Sequence, residues 1–151
     1  MRAFTWTRAI LLICGCALIF GIWLVRKHQL ETSRTAELRA IVRVIEARMV
    51  MPQGADELGA YIRYYDWSEL NGRQMVEGHY LRDRAPMSGS LAEPVSGLDG
   101  AFLWHGRGLP FVFDGGCYQV TVYFDVEKGE LVSRKRQGDT QPQLGLCNGY
   151  A

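Results

Sequence analysis

Residues 61–82 read YIRYYDWSEL-NG-RQMVEGHYLR, and this stretch decides the fold of the domain. Both ten-residue runs are rich in aromatic and β-branched side chains, as β-strands are. Asn71-Gly72 between them is a strong signal for a two-residue hairpin turn, because both turn positions need a positive φ. The sequence therefore predicts a hairpin in which Leu70 lies opposite Arg73 and Tyr65 lies opposite Gly78.

The register divides the hairpin side chains between two faces. One face carries Tyr65, Trp67, Val76 and Tyr80, and we expect it to form the core, with Tyr65 covering Gly78. The other face is expected to be solvent-exposed, and the apolar residues on it make it a candidate surface for a protein partner. Its candidate contact residues are Ile62, Tyr64 and His79.

A second hairpin is predicted further along the chain. Apolar residues alternate cleanly through 117–126, the turn 127–130 contains Gly129, and residues 131–135 return as a partner strand. Short strands are expected at 101–104 and 110–114, separated from the first hairpin by a long loop rich in proline and glycine.

An amphipathic helix is predicted over residues 28–50, before the first hairpin. Pro52 and Gly54 end it, and its apolar stripe consists of Leu38, Ile41, Val42, Ile45 and Met49. The fold class is therefore α+β: a helix packed on an antiparallel β-sheet of two hairpins, with four to five strands.

Residues 9–25, AILLICGCALIFGIWLV, contain no charged side chain. Seventeen helical residues span about 26 Å, the short end of a bilayer core. We expect a transmembrane anchor that continues into the amphipathic helix, so that 1–8 are a tail, 9–27 the anchor and 28–151 the domain. A bacterial lipoprotein signal with Cys16 as the lipidated residue is an alternative reading of the same segment.

The distribution of charge along the chain indicates which partners to expect and which side of the membrane the domain occupies. Of 17 basic residues 13 follow residue 27, as do all 16 acidic residues, so the domain carries a formal charge of −3 and the first segment +4. The sequence of the domain contains no basic stripe, so we do not expect a nucleic-acid partner. Basic residues just after the segment favour a cytoplasmic domain by the positive-inside rule.

Cys117 and Cys147 favour the opposite orientation. A bond between them would tie a polar C-terminal tail to the sheet, and disulfides persist in oxidising compartments. We expect a disulfide and a periplasmic domain on a bacterial inner membrane; two free thiols, or a pair of metal ligands, are the alternatives.

Few residues predict chemistry. His105, Arg107 and Asp114 lie in glycine-rich turns and are a possible anion or ligand contact. Asp66 and Glu77 lie opposite each other in the hairpin, and we expect them to be exposed like charges relieved by Arg63 or Arg73; an acid–base pair is the alternative. No cluster has the spacing of metal ligands, and no motif indicates a cofactor. The chain is therefore not expected to be an enzyme.

The layout is similar to that of type IV pilins and pseudopilins: an apolar N-terminal helix continues into an amphipathic one, followed by an antiparallel sheet and a C-terminal disulfide. Phe4-Thr5 resembles the start of a mature pilin, although Ala3 and Arg8 stand where that family has Gly and Glu. The resemblance implies a filament subunit.

Three functions are therefore open. The first is a single-pass membrane-anchored interaction module, an accessory or assembly subunit whose protein partners belong to a membrane complex. The second is the pilin-like filament subunit. The third is a small periplasmic ligand-binding or cysteine-dependent enzyme domain that uses Cys117, Asp114 and His105.

Overall fold

The protein was analysed as a computed structural model. The structure describes residues 3–82, 91–110, 116–132 and 145–148. Within these ranges it describes side chains at Cys16 and from residue 18 onward, other than those of 116, 146 and 148. The expected strand at 110–114 falls outside this part of the chain beyond Pro110, and the expected return strand does so beyond Val132.

Helix α1 spans Ala3–Arg48, a length of 46 residues. The prediction that the apolar segment continues into the amphipathic helix without a break is confirmed. The helix ends four residues before Pro52, and Gly54 then adopts a φ of 86°. The chain divides into two compact units, Met1–Glu37 and Leu38–Ala151.

The described residues of the first unit, 3–37, are helical. Residues 18–34 are all exposed, including large apolar side chains such as Leu18, Ile19 and Phe20. In the part of the chain that the structure describes, no helix meets the length and hydropathy required to cross a membrane. The predicted anchor at 9–25 lies partly outside that part, because the side chains of 9–15 and of residue 17 are not described.

The second unit contains a short 3₁₀ turn, Leu58–Ala60, and a mixed sheet. Six strands run in the order β3-β4-β1-β2-β5-β6, and β7 also pairs with β5. Their bounds are β1 Tyr61–Leu70, β2 Arg73–Arg82, β3 Ala92–Pro94, β4 Ala101–Trp104, β5 Gly116–Asp125, β6 Glu130–Leu131 and β7 Gly145–Asn148.

The central hairpin is as predicted. Strands β1 and β2 pair antiparallel with Leu70 opposite Arg73 and Tyr65 opposite Gly78. Asn71 and Gly72 have φ values of 54° and 75°, the left-handed geometry that a two-residue turn of this kind requires. The local sequence therefore determines both the turn and the register.

The predicted antiparallel sheet of four to five strands is wrong in two respects: the described residues contain seven strands, and one of the pairings is parallel. Strand β4 pairs with β1 in parallel, with Tyr64 opposite Phe102. The other edge of β1 is already occupied by β2, and β2 pairs with β5 on its far side. The chain leaving β2 therefore returns to the free edge of β1, and β3 then adds antiparallel to β4.

The helix-facing side of the sheet is the main core, as predicted. Leu38, Val42 and Ile45 of α1 are at most 4% exposed and belong to one apolar cluster with Tyr65 and Tyr80 of the hairpin. A Cβ atom on Gly78 would lie 2.7 Å from Val122 and 2.8 Å from the Tyr65 ring. Tyr65 thus covers Gly78, and the glycine allows this close contact.

Candidate functional site

Cys117 and Cys147 form a disulfide, with an S–S distance of 2.06 Å and a sequence separation of 30 residues. The predicted pairing is confirmed, and it excludes Cys117 as a thiolate in this state of the protein, because a disulfide sulfur has no proton to lose. Cys16 is free and exposed. Among the described residues, no three His, Cys, Asp or Glu side chains form a group that could hold a metal ion.

A buried polar network lies between α1 and the sheet. Arg63 Nε donates to Glu46 Oε1 at 2.7 Å, and the two side chains are 5% and 6% exposed. The Tyr65 hydroxyl donates to the same carboxylate oxygen at 2.5 Å, and the hydroxyl oxygens of Tyr65 and Tyr80 lie 2.9 Å apart. Arg63 was expected to relieve exposed carboxylates on the hairpin, and the structure instead pairs it with the helix.

Arg63 also donates three further hydrogen bonds to backbone carbonyl groups. Its Nη1 donates to the carbonyl oxygens of Leu58 at 3.0 Å and of Tyr61 at 2.8 Å, and its Nη2 donates to the carbonyl oxygen of Asp99. One guanidinium thus joins the helix, the 3₁₀ turn, strand β1 and the turn before β4. This arrangement fits a structural clamp better than a binding site, since its polar groups face one another.

Burial dominates the ionisation of the two tyrosines in this network. Desolvation raises the pKa of Tyr65 well above its ordinary value, and the nearby Tyr80 and the Glu46 carboxylate raise it further. Desolvation also raises the pKa of Tyr80, and the hydrogen bond with Tyr65 partly opposes that rise. Both hydroxyls therefore stay protonated throughout the physiological range.

The second face of the sheet is covered, and its predicted exposure is wrong. Tyr64 is 1% exposed and His79 is 6% exposed, while Ile62 is half-buried. Tyr64 packs with Leu81 and Trp104 in a second apolar cluster. Four partly buried apolar residues pack against this cluster: Ile62, Ala92, Phe102 and Leu109. The residues that cover this face are distant in sequence from the hairpin. The alternation of side chains within the hairpin therefore cannot predict that the face is buried.

A group of acid–base side chains lies on this second face. His79 Nε2 is 2.9 Å from Glu77 Oε1, and the Tyr123 hydroxyl donates to the same oxygen at 3.0 Å. His79 Nδ1 lies 2.8 Å from the carbonyl oxygen of Pro110. Asp66 lies opposite Glu77 as predicted, and its Oδ1 accepts a hydrogen bond from the Trp67 amide at 2.7 Å. The sequence brought Asp66 and Glu77 together but missed the partnership with His79 and Tyr123.

The predicted ligand contact is only partly assembled. The His105 ring lies 3.1 Å from Glu93 Oε2, and Arg39 of α1 donates to the other oxygen of that carboxylate. The hydrogen bond from Arg39 is the main reason why the pKa of Glu93 is lowered. Arg107 is exposed in the turn after β4, and Asp114 lies outside the described residues. His105 therefore faces a carboxylate, which already supplies the negative charge that an anion would bring.

A cleft with a volume of about 690 Å³ lies where the β1–β2 and β5–β6 turns meet. Arg73 and Asp125 face each other across 3.6 Å there, with Arg73 half-exposed and Asp125 buried. Both turns were predicted, but their juxtaposition depends on the pairing of β2 with β5, which local sequence does not encode.

Comparison of the chain with protein families, curated proteins and solved structures found no match.

Proposed function

We propose that the protein is a membrane-anchored interaction module: an accessory or assembly subunit of a membrane complex, held by its N-terminal helix in the bacterial inner membrane. The observation that carries the proposal is the exposure of consecutive large apolar side chains on helix α1. Leu18, Ile19, Phe20 and Ile22 are each 59–71% exposed, and Trp23, Leu24 and Val25 are 46–59% exposed.

The arrangement of these side chains favours lipid as their environment. Consecutive residues of a helix point in successive directions about 100° apart, so an uninterrupted apolar run covers the helix on all sides. A helix that is apolar all round is buried in a protein core or in a membrane. The uncharged run extends back to residue 9, which brings its length to about 26 Å.

The end of the run has the features of a membrane interface. Trp23 stacks on Phe20 with ring centroids 5.9 Å apart, and the Lys27 ammonium lies 5.7 Å from the centre of the Trp23 ring. Tryptophan and basic side chains are common where the apolar core of a bilayer meets its headgroups. The first charged residues after the run, Arg26 and Lys27, follow at that point.

The disulfide supports a periplasmic domain. A bond between Cys117 and Cys147 is stable in an oxidising compartment, whereas cytoplasmic thiols are kept reduced. The basic residues after the apolar run favour the other orientation. The disulfide carries more weight here because the basic residues beyond Lys27 also lie on an amphipathic helix, part of which packs on the sheet.

Exposed side chains on the domain are suited to a protein partner. Tyr118 is 59% exposed on β5, and the Arg82 guanidinium lies 5.1 Å from the centre of its ring. Tyrosine and arginine are enriched among the residues that contribute most to protein interfaces. Val50 and Leu91, 68% and 50% exposed, are further apolar contacts available to a partner.

Membrane extraction with matched variants tests the anchor. Ile19 and Leu30 are 71% and 70% exposed, but only Ile19 lies within the apolar run. A charged side chain in the middle of a membrane helix costs about 2.5–3.5 kcal/mol. We expect the wild type and Leu30→Arg to resist carbonate extraction and Ile19→Arg to be released. Extraction of the wild-type chain into the soluble fraction would contradict the proposal.

Cysteine labelling tests the orientation. In a chain with Cys14 and Cys16 replaced by serine, a cysteine is placed at Lys128, whose side chain is 55% exposed, or at Thr5 before the apolar run. A maleimide that does not cross the inner membrane should label Lys128→Cys and spare Thr5→Cys in cells with a permeable outer membrane. The reverse pattern would place the domain in the cytoplasm.

Crosslinking in membranes tests the interaction role. We expect full-length protein to crosslink to other chains, and Tyr118→Ala to reduce the yield more than an exposed control change, Glu69→Ala. Recovery of monomer alone, in wild-type membranes at native expression, would count against a role in a complex.

A pilin-like filament subunit is the second candidate. Its support is one uninterrupted helix, Ala3–Arg48, whose last turns pack on the sheet, together with a disulfide that holds the C-terminal strand β7. This is analogy at the level of architecture. N-terminal sequencing distinguishes the candidates: a mature chain beginning at Phe4 supports the filament subunit, and an intact Met1 excludes it.

A further inference from the structure

The cleft between the β1–β2 and β5–β6 turns has the size of a small-molecule site. Its volume is about 690 Å³. Pockets for small ligands typically measure roughly 300–1,000 Å³ and combine apolar walls with a few polar groups. The lining of this cleft has both parts, and each part restricts what could bind there.

Asp125 is the most buried charged side chain of the lining, with 5% exposure. Its Oδ1 accepts a hydrogen bond from the Lys128 amide at 3.0 Å. Its Oδ2 accepts none from the part of the chain that the structure describes, since Arg73 Nη1 is 3.6 Å away, beyond hydrogen-bond distance. Buried polar atoms usually have a hydrogen-bond partner. Asp125 Oδ2 is therefore an acceptor available to a ligand in the cleft.

Arg73 supplies the complementary group, with a side chain that is 54% exposed and lines the same cleft. A guanidinium group has five N–H donors. Within the described residues, that of Arg73 has only the long contact with Asp125. The planar fork of a guanidinium binds a carboxylate through two parallel hydrogen bonds. Arg73 can therefore bind the carboxylate of a ligand.

The charges of the cleft favour a ligand that carries both signs. Lys128 and Glu130 are 3.8 Å apart at the exposed rim and neutralise each other. An anion bound to Arg73 would lie near the Asp125 carboxylate, and a cation bound to Asp125 would lie near the guanidinium. Like charges at such distances repel. A zwitterion avoids both conflicts, because each of its charges meets the opposite one.

The apolar part of the lining indicates the side chain of that ligand. Leu70, Leu131 and Val132 are half-buried there. Met75 is 3% exposed and lies opposite Asp125 in the pairing of β2 with β5, so the two side chains share a face. Removal of apolar surface from water is favourable. An apolar ligand side chain therefore gains more from these walls than a polar one.

We propose that this cleft binds a free α-amino acid with an apolar side chain. Such a ligand carries its ammonium and its carboxylate on one carbon atom, so both can reach two protein groups that are close together. Asp125 Oδ2 accepts a hydrogen bond from the ammonium, the Arg73 guanidinium donates to the carboxylate, and the apolar wall contacts the side chain. In a peptide terminus, the peptide bond removes one of the two adjacent charges. This inference does not depend on the membrane anchor.

Isothermal titration calorimetry of the full-length protein in detergent tests the ligand class. The probes are L-leucine, L-methionine and L-phenylalanine, each with the analogue that lacks its ammonium and the analogue that lacks its carboxylate. For leucine these are isocaproate and isoamylamine. We expect saturable binding of at least one amino acid, and binding of its two analogues that is weaker by roughly 10- to 100-fold, as for loss of a charged hydrogen bond. Glycine, which has both charges but no side chain, should also bind more weakly.

Two conservative variants test the location of the site. Arg73→Gln and Asp125→Asn should each weaken binding by roughly 10- to 100-fold. Asparagine retains an oxygen atom that can accept the hydrogen bond from the Lys128 amide, so the turn should be preserved. Arg107→Gln is the matched control and should bind as the wild type does, because Arg107 is exposed in the turn after β4 and does not line the cleft. Circular dichroism checks that each variant is folded.

Three results would overturn the proposal. The first is that none of the three amino acids binds the wild-type protein at millimolar concentration. The second is that an analogue with a single charge binds as tightly as its parent amino acid, which would indicate a simple anion or cation site. The third is that folded Arg73→Gln binds as tightly as the wild type. The first two are measured on the wild-type chain, so they do not depend on whether a variant folds.

Discussion

Arg63 and Glu46 form a buried ion pair that joins strand β1 to helix α1, with Nε and Oε1 2.7 Å apart. Removal of both ions from water is costly, and their attraction offsets that cost only if the remaining donors are satisfied. Here three backbone carbonyls and the Tyr65 hydroxyl complete the network. The pair is therefore a structural element whose stability depends on both members being present.

Removal of one member should be strongly destabilising. We expect Glu46→Met to lower the free energy of unfolding by about 3–5 kcal/mol, because it leaves the Arg63 guanidinium buried without its counterion. Urea unfolding followed by circular dichroism measures this. The double variant Glu46→Met/Arg63→Met should lose much less than the sum of the two single changes. Additive losses would mean that the two side chains do not act as a pair.

Gly78 should tolerate no side chain. An alanine there would place Cβ 2.7 Å from Val122 and 2.8 Å from the Tyr65 ring, and such overpacking typically costs about 1–3 kcal/mol. The matched control is Gly59→Ala, where no heavy atom lies within 4 Å of the added Cβ. Thermal unfolding of both variants compares them, and equal melting temperatures would show that the sheet relaxes around the methyl group.

Loss of the disulfide should destabilise the domain. The Cys117–Cys147 bond closes a loop of about 30 residues, which in the chain-entropy model corresponds to roughly 3–4 kcal/mol. We expect Cys117→Ser/Cys147→Ser to lower the urea midpoint of the domain, while Cys16→Ser leaves it unchanged because Cys16 is free. Reduction of the wild-type protein should lower the urea midpoint as much as the double substitution does. If neither change lowered the midpoint, the disulfide would not contribute to the stability of the domain.

Stability should fall at alkaline pH. The pKa values of Tyr65 and Tyr80 are raised in the folded state, so the unfolded chain releases these phenolic protons first, from about pH 10. Their contribution is fully present below that pH and is lost as the pH rises further. Tyrosinate absorbance should show at least two of the seven tyrosines, Tyr65 and Tyr80, titrating only with unfolding. Titration of all seven in the folded protein would contradict this.

Local patterns predicted the elements that depend on neighbouring residues. Asn71-Gly72 indicated the turn, and a two-residue loop leaves only one register for strands β1 and β2. The alternation of 117–126 predicted β5, and the stripe that includes Leu38, Val42 and Ile45 predicted the helix face in the core. The Cys117–Cys147 pairing followed because the domain contains only these two cysteines.

The second face of the sheet could not be predicted in this way. The alternation of side chains along the two strands predicts that Tyr64 and His79 share a face. It does not predict whether another segment covers that face. Leu109, in the turn after β4, packs on the apolar cluster of that face, and β4 reaches the face only through a parallel pairing with β1. The Glu77–His79–Tyr123 group is likewise formed by the pairing of β2 with β5.

The sequence by itself thus determined the helix and the hairpin with its register, because each depends on residues close in the chain. It favoured the disulfide over free thiols or metal ligands, because the domain has only two cysteines and its polar tail needs an attachment. Only the tertiary structure decided which strands are neighbours, that Arg63 pairs with Glu46, and that His79 lies between two acceptors. The reason is physical: contacts between distant segments depend on the free energy of the whole packed arrangement, which no local pattern contains.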